Sequence, residues 1–420
     1  MNIYFSGIGG VGIGPLAEIA RDADYGVQGS DMQLSLVTEE LEASGIEIST
    51  DQSGAFVEKC HQHRPLDWFV HTAALAHDHP ELVKARELGI RTGKRDELLN
   101  ALIADKNLKL IAVAGTHGKT TTTGMLVWAM KKLGISVSYS VGSTLSFGPS
   151  GHYDSKSEYF VYECDEFDRN FLAFHPHLSL VTSVDYDHPD TYPTQDDYKA
   201  SFRQFIHQSG ASIAWQADAD YIGSKEGSMW CLQTDEVVDL PLAGEHNRRN
   251  ATLVLKALER LGVGSNSENI DAISSFPGTD RRFEKLAENL YSDYGHHPIE
   301  IAATLQMARE LSDRVVLVYQ PHQNVRQHEI RDQYTDCFNL AEKIYWLPTY
   351  LSRENDKLEI LSPVELSKNV ENYSSIIHSE LNEDLWRDIE DAREQGMLVL
   401  CMGAGSIDGW IRQHIIIQQQ

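Results

Sequence analysis

The stretch Leu108-Lys109-Leu110-Ile111-Ala112-Val113-Ala114-Gly115-Thr116-His117-Gly118-Lys119-Thr120 is a nearly pure apolar run that breaks at glycine and ends in Gly-Lys-Thr, and Thr121 to Leu133 follow it. An apolar run of this length bounded by glycine reads as a buried strand, and the residues after Thr120 read as a helix. Strand, glycine turn and helix N-terminus in that order make a phosphate site. The glycines let backbone N–H groups approach the oxygens, and the helix dipole favours negative charge. Lys119 reaches the outer phosphates, and the Thr120 hydroxyl ligates Mg2+. The usual pattern has a further glycine five positions before Gly118. Val113 stands there, so this loop is a variant. Its candidate triphosphate-binding residues are Gly115, Thr116, His117, Gly118, Lys119, Thr120 and Thr121.

Outward from this loop, short apolar runs alternate with helical patterns, which predicts an α/β protein with mostly parallel sheets. At about 150 residues per domain, 420 residues suggest three domains. The limits are drawn at 1–105, 106–270 and 271–420. The Gly-, Ser- and Asn-rich segment Gly262 to Asn269 reads as a linker. Strands are expected at Ile3 to Phe5, Asp67 to Val70, near Gly89 to Arg91, Val315 to Tyr319, Lys343 to Leu347 and Leu398 to Met402.

After the phosphate loop, Tyr159-Phe160-Val161-Tyr162-Glu163-Cys164-Asp165-Glu166 is an apolar strand that ends in carboxylates. Leu178 to Asp185 is another strand, running into Tyr186-Asp187-His188-Pro189-Asp190. Beside a bound nucleotide, such strand ends supply carboxylates and a neutral imidazole to a metal shell. Asp165 and Glu166 fit a solvated strand end equally well. Near the N-terminus, Gly7-Ile8-Gly9-Gly10-Val11-Gly12 follows a strand, with Asp31 downstream. That spacing suits a dinucleotide with a ribose-binding carboxylate, or another nucleotide ligand. An NAD-dependent dehydrogenase is the reading that rests on this motif alone. In the last third, the pair Arg281-Arg282 suits phosphate or carboxylate recognition, because guanidinium is a two-pronged donor; Tyr319-Gln320-Pro321-His322 follows further on. His296 and His297 are adjacent and point apart, and Pro298 reads as a helix start, so zinc is not expected there.

Lys and Arg number 36 against 62 Asp and Glu, a net charge of −26. Such a surface repels phosphate backbones and anionic lipid, so neither nucleic acid nor membrane is an expected partner. The five cysteines are scattered without a C-x-x-C pair, which indicates no zinc site and no disulfide framework. No apolar run is long enough to span a bilayer and the N-terminus is too polar for a secretory signal, so a cytoplasmic protein is expected.

Taken together, the segments GIGGVG (7–12) with GSD (29–31), GTHGKT (115–120), ECDEFD (163–168), DHPD (187–190), GEHNRRNA (244–251), FPGTDRRFE (276–284), DYGHHPIE (293–300), YQPH (319–322) and GAGSID (403–408) resemble the Mur ligase family. These are the ATP-dependent amino-acid ligases of peptidoglycan synthesis, and the segments fall in the family's order along nearly the whole chain. The resemblance implies a Rossmann-like N-terminal domain for a uridine nucleotide, a central ATPase domain and a Rossmann-like C-terminal domain. It implies that Lys119 and Thr120 grip ATP and Mg2+, and that Glu163 and His188 join Thr120 as metal ligands, with Lys119, Glu163 and His188 as the catalytic set. His246, Asn247 and Asn250 would border the adenine, and Arg281 and Asp293 would hold the nucleotide. His297 and His322 would lie near the incoming amino acid and Arg326 near the anionic substrate. Gly7, Gly9, Gly10 and Asp31 would line the uridine-nucleotide turn. Within the family, Tyr294-Gly295 and Pro321-His322 with Arg326 look like the branch that joins L-alanine to UDP-N-acetylmuramate. The branch that recycles a tripeptide onto the same sugar nucleotide typically has Phe-Ala in place of Tyr294-Gly295 and an Arg where His322 stands. Gln323 stands where a basic residue is usual, Tyr350 to Glu354 match only in part, and the chain after His188 is shorter than expected. A non-catalytic nucleotide-binding homologue is the further alternative. The implied partners are ATP, UDP-N-acetylmuramate and L-alanine, bound by a monomer or homodimer.

Overall fold

The computed structural model describes residues 1–10, 12–72, 75–188, 191–224, 227, 229–352, 354–355 and 357–418. Within the first hundred residues lie β1 (Asn2–Ser6), β2 (Gly26–Ser30), β3 (Glu47–Ser49), β4 (Trp68–His71) and β5 (Arg91–Lys94). They form an all-parallel sheet in the order β3-β2-β1-β4-β5. Central β1 is covered on both faces, which is why Ile3, Tyr4 and Phe5 are apolar without alternation. The strand expected near Gly89 to Arg91 starts at Arg91 instead. Gly89, at φ +68°, makes the turn that closes helix Pro80–Glu87.

A second sheet contains β6 (Lys109–Ala114), β7 (Val137–Ser140), β8 (Gly151–His152), β9 (Tyr159–Glu163), β10 (Leu178–Val181), β11 (Ser212–Trp215) and β12 (Met229–Leu232). Its order is β12-β11-β10-β6-β9-β7-β8, and only the β7–β8 pair is antiparallel. Strand β6 sits between β9 and β10, so whatever follows those three strands converges at one sheet edge. In α/β sheets ligands bind at that carboxyl edge.

The third sheet has β13 (Glu284–Ala287), β14 (Leu290–Asp293), β15 (Val315–Tyr319), β16 (Lys343–Trp346), β17 (Ile376–His378) and β18 (Leu398–Met402), in the order β13-β14-β18-β15-β16-β17. Only β13–β14 is antiparallel. Strand alternation feeds two cores here. Leu317, Tyr319 and Trp346 enter one, and Val316, Val318 and Tyr345 enter the other.

The chain groups into two units, residues 1–237 with 251–276 and residues 238–250 with 277–420. The first carries two sheets and the second carries the third. The segment Gly262 to Asn269 is not a free linker. Ser265 caps helix Asn266–Ser274 in a reciprocal box with Glu268, and the buried Asn269 side chain donates to the Val263 carbonyl at 3.0 Å. All five cysteines are free; Cys231 is half-buried and the other four are buried. Among the described residues no helix is long and apolar enough to cross a membrane.

Candidate active site

The phosphate loop leaves β6 at Ala114. Gly115 adopts φ +137°, and Gly118 (φ +83°) forms the cap of helix Lys119–Lys132. A side chain on Gly115 would meet the Ser183 backbone oxygen and nitrogen at 2.8 and 3.0 Å, so only glycine lets the chain turn this tightly against the end of β10. The loop is tied down there. The Thr116 N–H donates to the Ser183 carbonyl at 2.9 Å, the His117 N–H to Ser183 Oγ at 3.0 Å, and Thr116 Oγ1 to the Asp185 carbonyl at 2.8 Å.

Lys119 Nζ donates to the Gly115 carbonyl at 2.6 Å, to the Thr116 carbonyl at 3.3 Å and to Glu166 Oε2 at 2.8 Å. Burial works against its charge, but Glu166, Asp165 and Glu163 outweigh that and hold the ammonium protonated well above the usual lysine range. Register pairs Glu163, the last residue of β9, with Val113 on β6. Its Oε1 therefore reaches Thr120 Oγ1 at 2.8 Å, while Oε2 accepts from the Gly142 N–H at 2.7 Å. Thr120 and Glu163 thus converge as oxygen donors, the chemistry a hard cation such as Mg2+ prefers. His188 (φ +57°) lies elsewhere in this cluster. Its Nε2 is 3.8 Å from Glu166 Oε1, its ring meets Phe167 edge-on, and no ion pair joins it to Glu163 among the described residues. Pro189 and Asp190 of the same motif lie outside the described residues, as does Val11. Among the described residues no three His, Cys, Asp or Glu side chains are grouped to hold a metal without help. Mg2+ commonly takes one or two carboxylates and completes its shell with phosphate and water.

Glu166 is the residue that sequence reasoning passed over. A solvated strand end does not describe it, because it is 0 % exposed and ion-paired to Lys119. The only available signal was the alternation of acidic and apolar residues past β9, and a surface loop has the same pattern.

In the first sheet Gly7 takes φ +77°, and its N–H donates to the Ser30 carbonyl at 2.8 Å. Asp31 Oδ2 accepts from the Gly9 N–H at 2.8 Å, and a side chain on Gly10 would come within 3.2 Å of the Gly7 carbonyl. The glycine turn and Asp31 are therefore one unit.

The second unit carries the remaining candidates. His246 is half-buried beside Glu310 and Arg248, and desolvation of its ring pushes the imidazole down to about 4. Asn247 Nδ2 donates to the Ala243 carbonyl at 3.0 Å, and Asn250 is buried. Arg281 (φ +58°) lies 3.5 Å from Asp408 and stacks on Tyr294, its guanidinium carbon 4.6 Å from the ring centre. Glu300 Oε2 accepts the N–H groups of His296 and His297 at 2.9 and 3.2 Å, where Pro298 opens helix Pro298–Leu311. Arg326 packs on the His296 ring nitrogen, and His296 is 5.4 Å from the His322 ring, which stacks on Tyr350 at 5.8 Å. The structure thus joins Arg326 to His322 through His296. Burial pushes His296 down to about 4, so a neutral ring accepts the guanidinium. At the turn where a basic residue is usual, Gln323 takes φ +61°. The Asn324 and Val325 amides are taken up by the Glu354 carboxylate at 3.0 and 3.3 Å. Arg353 lies outside the described residues.

Asp293 is buried and accepts the Phe283 and Gly295 N–H groups at 2.8 and 2.7 Å. Burial outweighs these bonds and Arg282, and raises its carboxyl to about 6. A carboxyl raised on folding favours the native state while protonated, so its contribution is full below about 4 and is lost as pH rises towards 6. Asp293→Asn is expected to gain stability relative to the parent by up to about 3 kcal/mol between pH 4 and 7, from a shift of about two units. Urea midpoints of the two proteins across that range measure it. Parallel pH profiles would contradict this account of the site.

Three family models match the chain in series: the Mur ligase catalytic domain over residues 2–107, the Mur ligase middle domain over 113–228 and the Mur ligase glutamate ligase domain over 281–405. A UDP-N-acetylmuramate–L-alanine ligase from Acetivibrio thermocellus is 32% identical over 97% of this chain and 94% of its own. The chain belongs to the Mur ligase family. A second such ligase, from Thermosynechococcus vestitus, is 30% identical over 99% of this chain and 96% of its own. Two solved Mur ligase structures share the fold. The UDP-N-acetylmuramate–alanine ligase of Thermotoga maritima has a TM-score of 0.78, with 23% identity over 100% of this chain and 99% of that one. A murein peptide ligase of Psychrobacter arcticus has a TM-score of 0.65, with 23% identity over 99% and 98%. As in the Mur ligase reading of the sequence, the architecture is α/β in three sheets that are mostly parallel.

Proposed function

We propose that this Mur ligase joins L-alanine to the carboxylate of UDP-N-acetylmuramate, consuming ATP, in the synthesis of the peptidoglycan precursor. The observation that carries the reading is the convergence of Lys119, Thr120 and Glu163 at the carboxyl edge of β6 and β9, in a chain similar over nearly its full length to ligases of that name. The loop amides and Lys119 bind the triphosphate. The muramyl carboxylate attacks the γ-phosphorus, the bond to the β-phosphate oxygen breaks, and ADP leaves with its electron pair. The amine of L-alanine, having lost a proton, attacks the acyl carbon, and the tetrahedral adduct expels inorganic phosphate. Lys119 stabilises the charge that develops on the phosphoryl oxygens. Thr120 and Glu163, with His188 close by, would hold Mg2+, which supplies charge neutralisation on the phosphates.

In the same reading Gly7, Gly9, Gly10 and Asp31 hold the uridine nucleotide. His246, Asn247, Asn250, Arg281 and Asp293 serve the ATP, and His297, His322 and Arg326 serve the amino acid and the muramyl acid. The protein works in the cytoplasm as a monomer or homodimer.

A panel of amino acids and the tripeptide, offered with ATP and UDP-N-acetylmuramate and read by product mass, tests the assignment. L-alanine is expected to give the dominant adduct. Glycine and L-serine should follow within one to two orders of magnitude, since one methyl or hydroxyl is worth only about 1–3 kcal/mol in a small pocket. Tripeptide addition exceeding alanine addition would replace the reading with the recycling branch. ATP binding without turnover on any member would replace it with a non-catalytic homologue.

A further inference from the structure

We propose that Glu166 is the positioning residue of the phosphate site, setting Lys119 with one carboxylate oxygen and facing His188 with the other. This rests on the ligase reading above and deepens it. Lys119 already has two carbonyl acceptors, on Gly115 and Thr116, so its ammonium needs no third partner merely to be buried. The chain nevertheless brings a fully buried carboxylate to it at 2.8 Å. The other oxygen, Oε1, is buried, accepts no hydrogen bond among the described residues, and lies 3.8 Å from His188 Nε2. A buried carboxylate with one oxygen left unbonded is costly, and a packed apolar side chain would serve the fold better.

The backbone around Glu166 is built to hold it. Tyr192 donates its hydroxyl to the Glu166 carbonyl at 2.5 Å, and the Arg169 N–H donates to the same carbonyl at 3.0 Å. The two residues that turn the chain away, Asp168 and Arg169, are consecutive non-glycines at φ +52° and +58°. Such a conformation persists only where surrounding contacts enforce it. Here Lys94 pairs with Asp168 at 2.9 Å, while Arg169 donates to Ser201 Oγ at 3.0 Å and lies over the Tyr192 ring at 4.9 Å. A negative charge beside a triphosphate weakens ground-state binding. Its benefit must therefore lie in where it keeps the ammonium when charge moves to the leaving oxygen.

The test compares full-length wild type, Glu166→Gln and Glu166→Asp in two assays. In the first, ADP release with UDP-N-acetylmuramate and L-alanine is followed against ATP concentration. In the second, a fluorescent ADP analogue is titrated without metal, sugar nucleotide or amino acid. Glu166→Gln is expected to lower kcat by about 100-fold while binding the analogue as tightly as wild type or up to about threefold more tightly. Glu166→Asp, which restores the charge, should recover at least tenfold of kcat. Three results would overturn the proposal: kcat within threefold of wild type, no rescue by Asp, or analogue binding weaker than wild type, the signature of a plain structural brace. The titration uses no substrate of the ligase. A wild type inactive with alanine would therefore refute the ligase reading, and analogue binding weakened by Glu166→Gln would still refute this one.

Discussion

Lys119→Ala abolishes ADP and phosphate release dependent on UDP-N-acetylmuramate and L-alanine, with a fall of at least about 1,000-fold in kcat. The expectation follows from what the ammonium touches. Lys119 is the cation at the N-terminal end of helix Lys119–Lys132, held between the loop carbonyls and Glu166. Arg95, a half-buried cation that also feels Asp165, is engaged with Asp96 at 3.3 Å. The same substitution should also destabilise the first unit, because it leaves the Glu166 carboxylate buried without its partner. Breaking a buried pair from one side costs about 3–5 kcal/mol. The double variant Lys119→Ala/Glu166→Gln separates the two effects: its urea midpoint should return most of the way to wild type while turnover stays lost. Near-normal turnover in either variant would contradict the assignment of the loop.

Gly115→Ala is expected to cost about 3 kcal/mol or more, from a backbone conformation foreign to L-residues and from overpacking against β10. The added carbon would face the Ser183 oxygen and nitrogen at 2.8 and 3.0 Å, and these are backbone atoms that a rotamer change cannot move. Relief requires the end of β10 to separate from β6, which breaks the Thr116 and Thr182 backbone bonds to Ser183 and Ala114. Nucleotide affinity should therefore fall with stability, unlike the split expected at Glu166. Thermal melts with and without ADP measure both. By contrast, an alanine at Gly45 or Gly223 meets nothing within 4 Å and suffers only the backbone term, which makes either a control.

What was legible in the sequence was local. Strand, glycine turn and Gly-Lys-Thr lie within thirteen residues, and their order alone specifies a phosphate cradle. Glu163 was singled out by the resemblance to the Mur ligases. A strand ending in carboxylates beside the loop did not by itself separate it from its neighbours, and the pairing with Val113 that brings it to Thr120 is seen only in the sheet. Glu166 was not legible, since three residues further on the chain has left the sheet, and its partners Lys119 and Tyr192 come from segments distant in sequence. The His322–Tyr350 stack and the Arg326–His296 contact likewise join separate segments. The linker reading failed for another reason. Gly, Ser and Asn dominate 262–269, but Ser265 followed by Glu268 is a helix-start signature that outweighs composition.

The placement of the sulfur atoms bears on how the protein meets electrophiles and oxidants. Burial pushes up all five thiols, and at Cys60, Cys164, Cys337 and Cys401 access is closed as well. Cys231 alone is half open, and it lies on β12, the far edge strand of the second sheet. Three strands separate it from Glu163 on β9, a span of about 19 Å at about 4.8 Å per strand. A maleimide dye therefore has one preferred attachment point, remote enough to leave catalysis untouched and near enough to report on nucleotide by energy transfer.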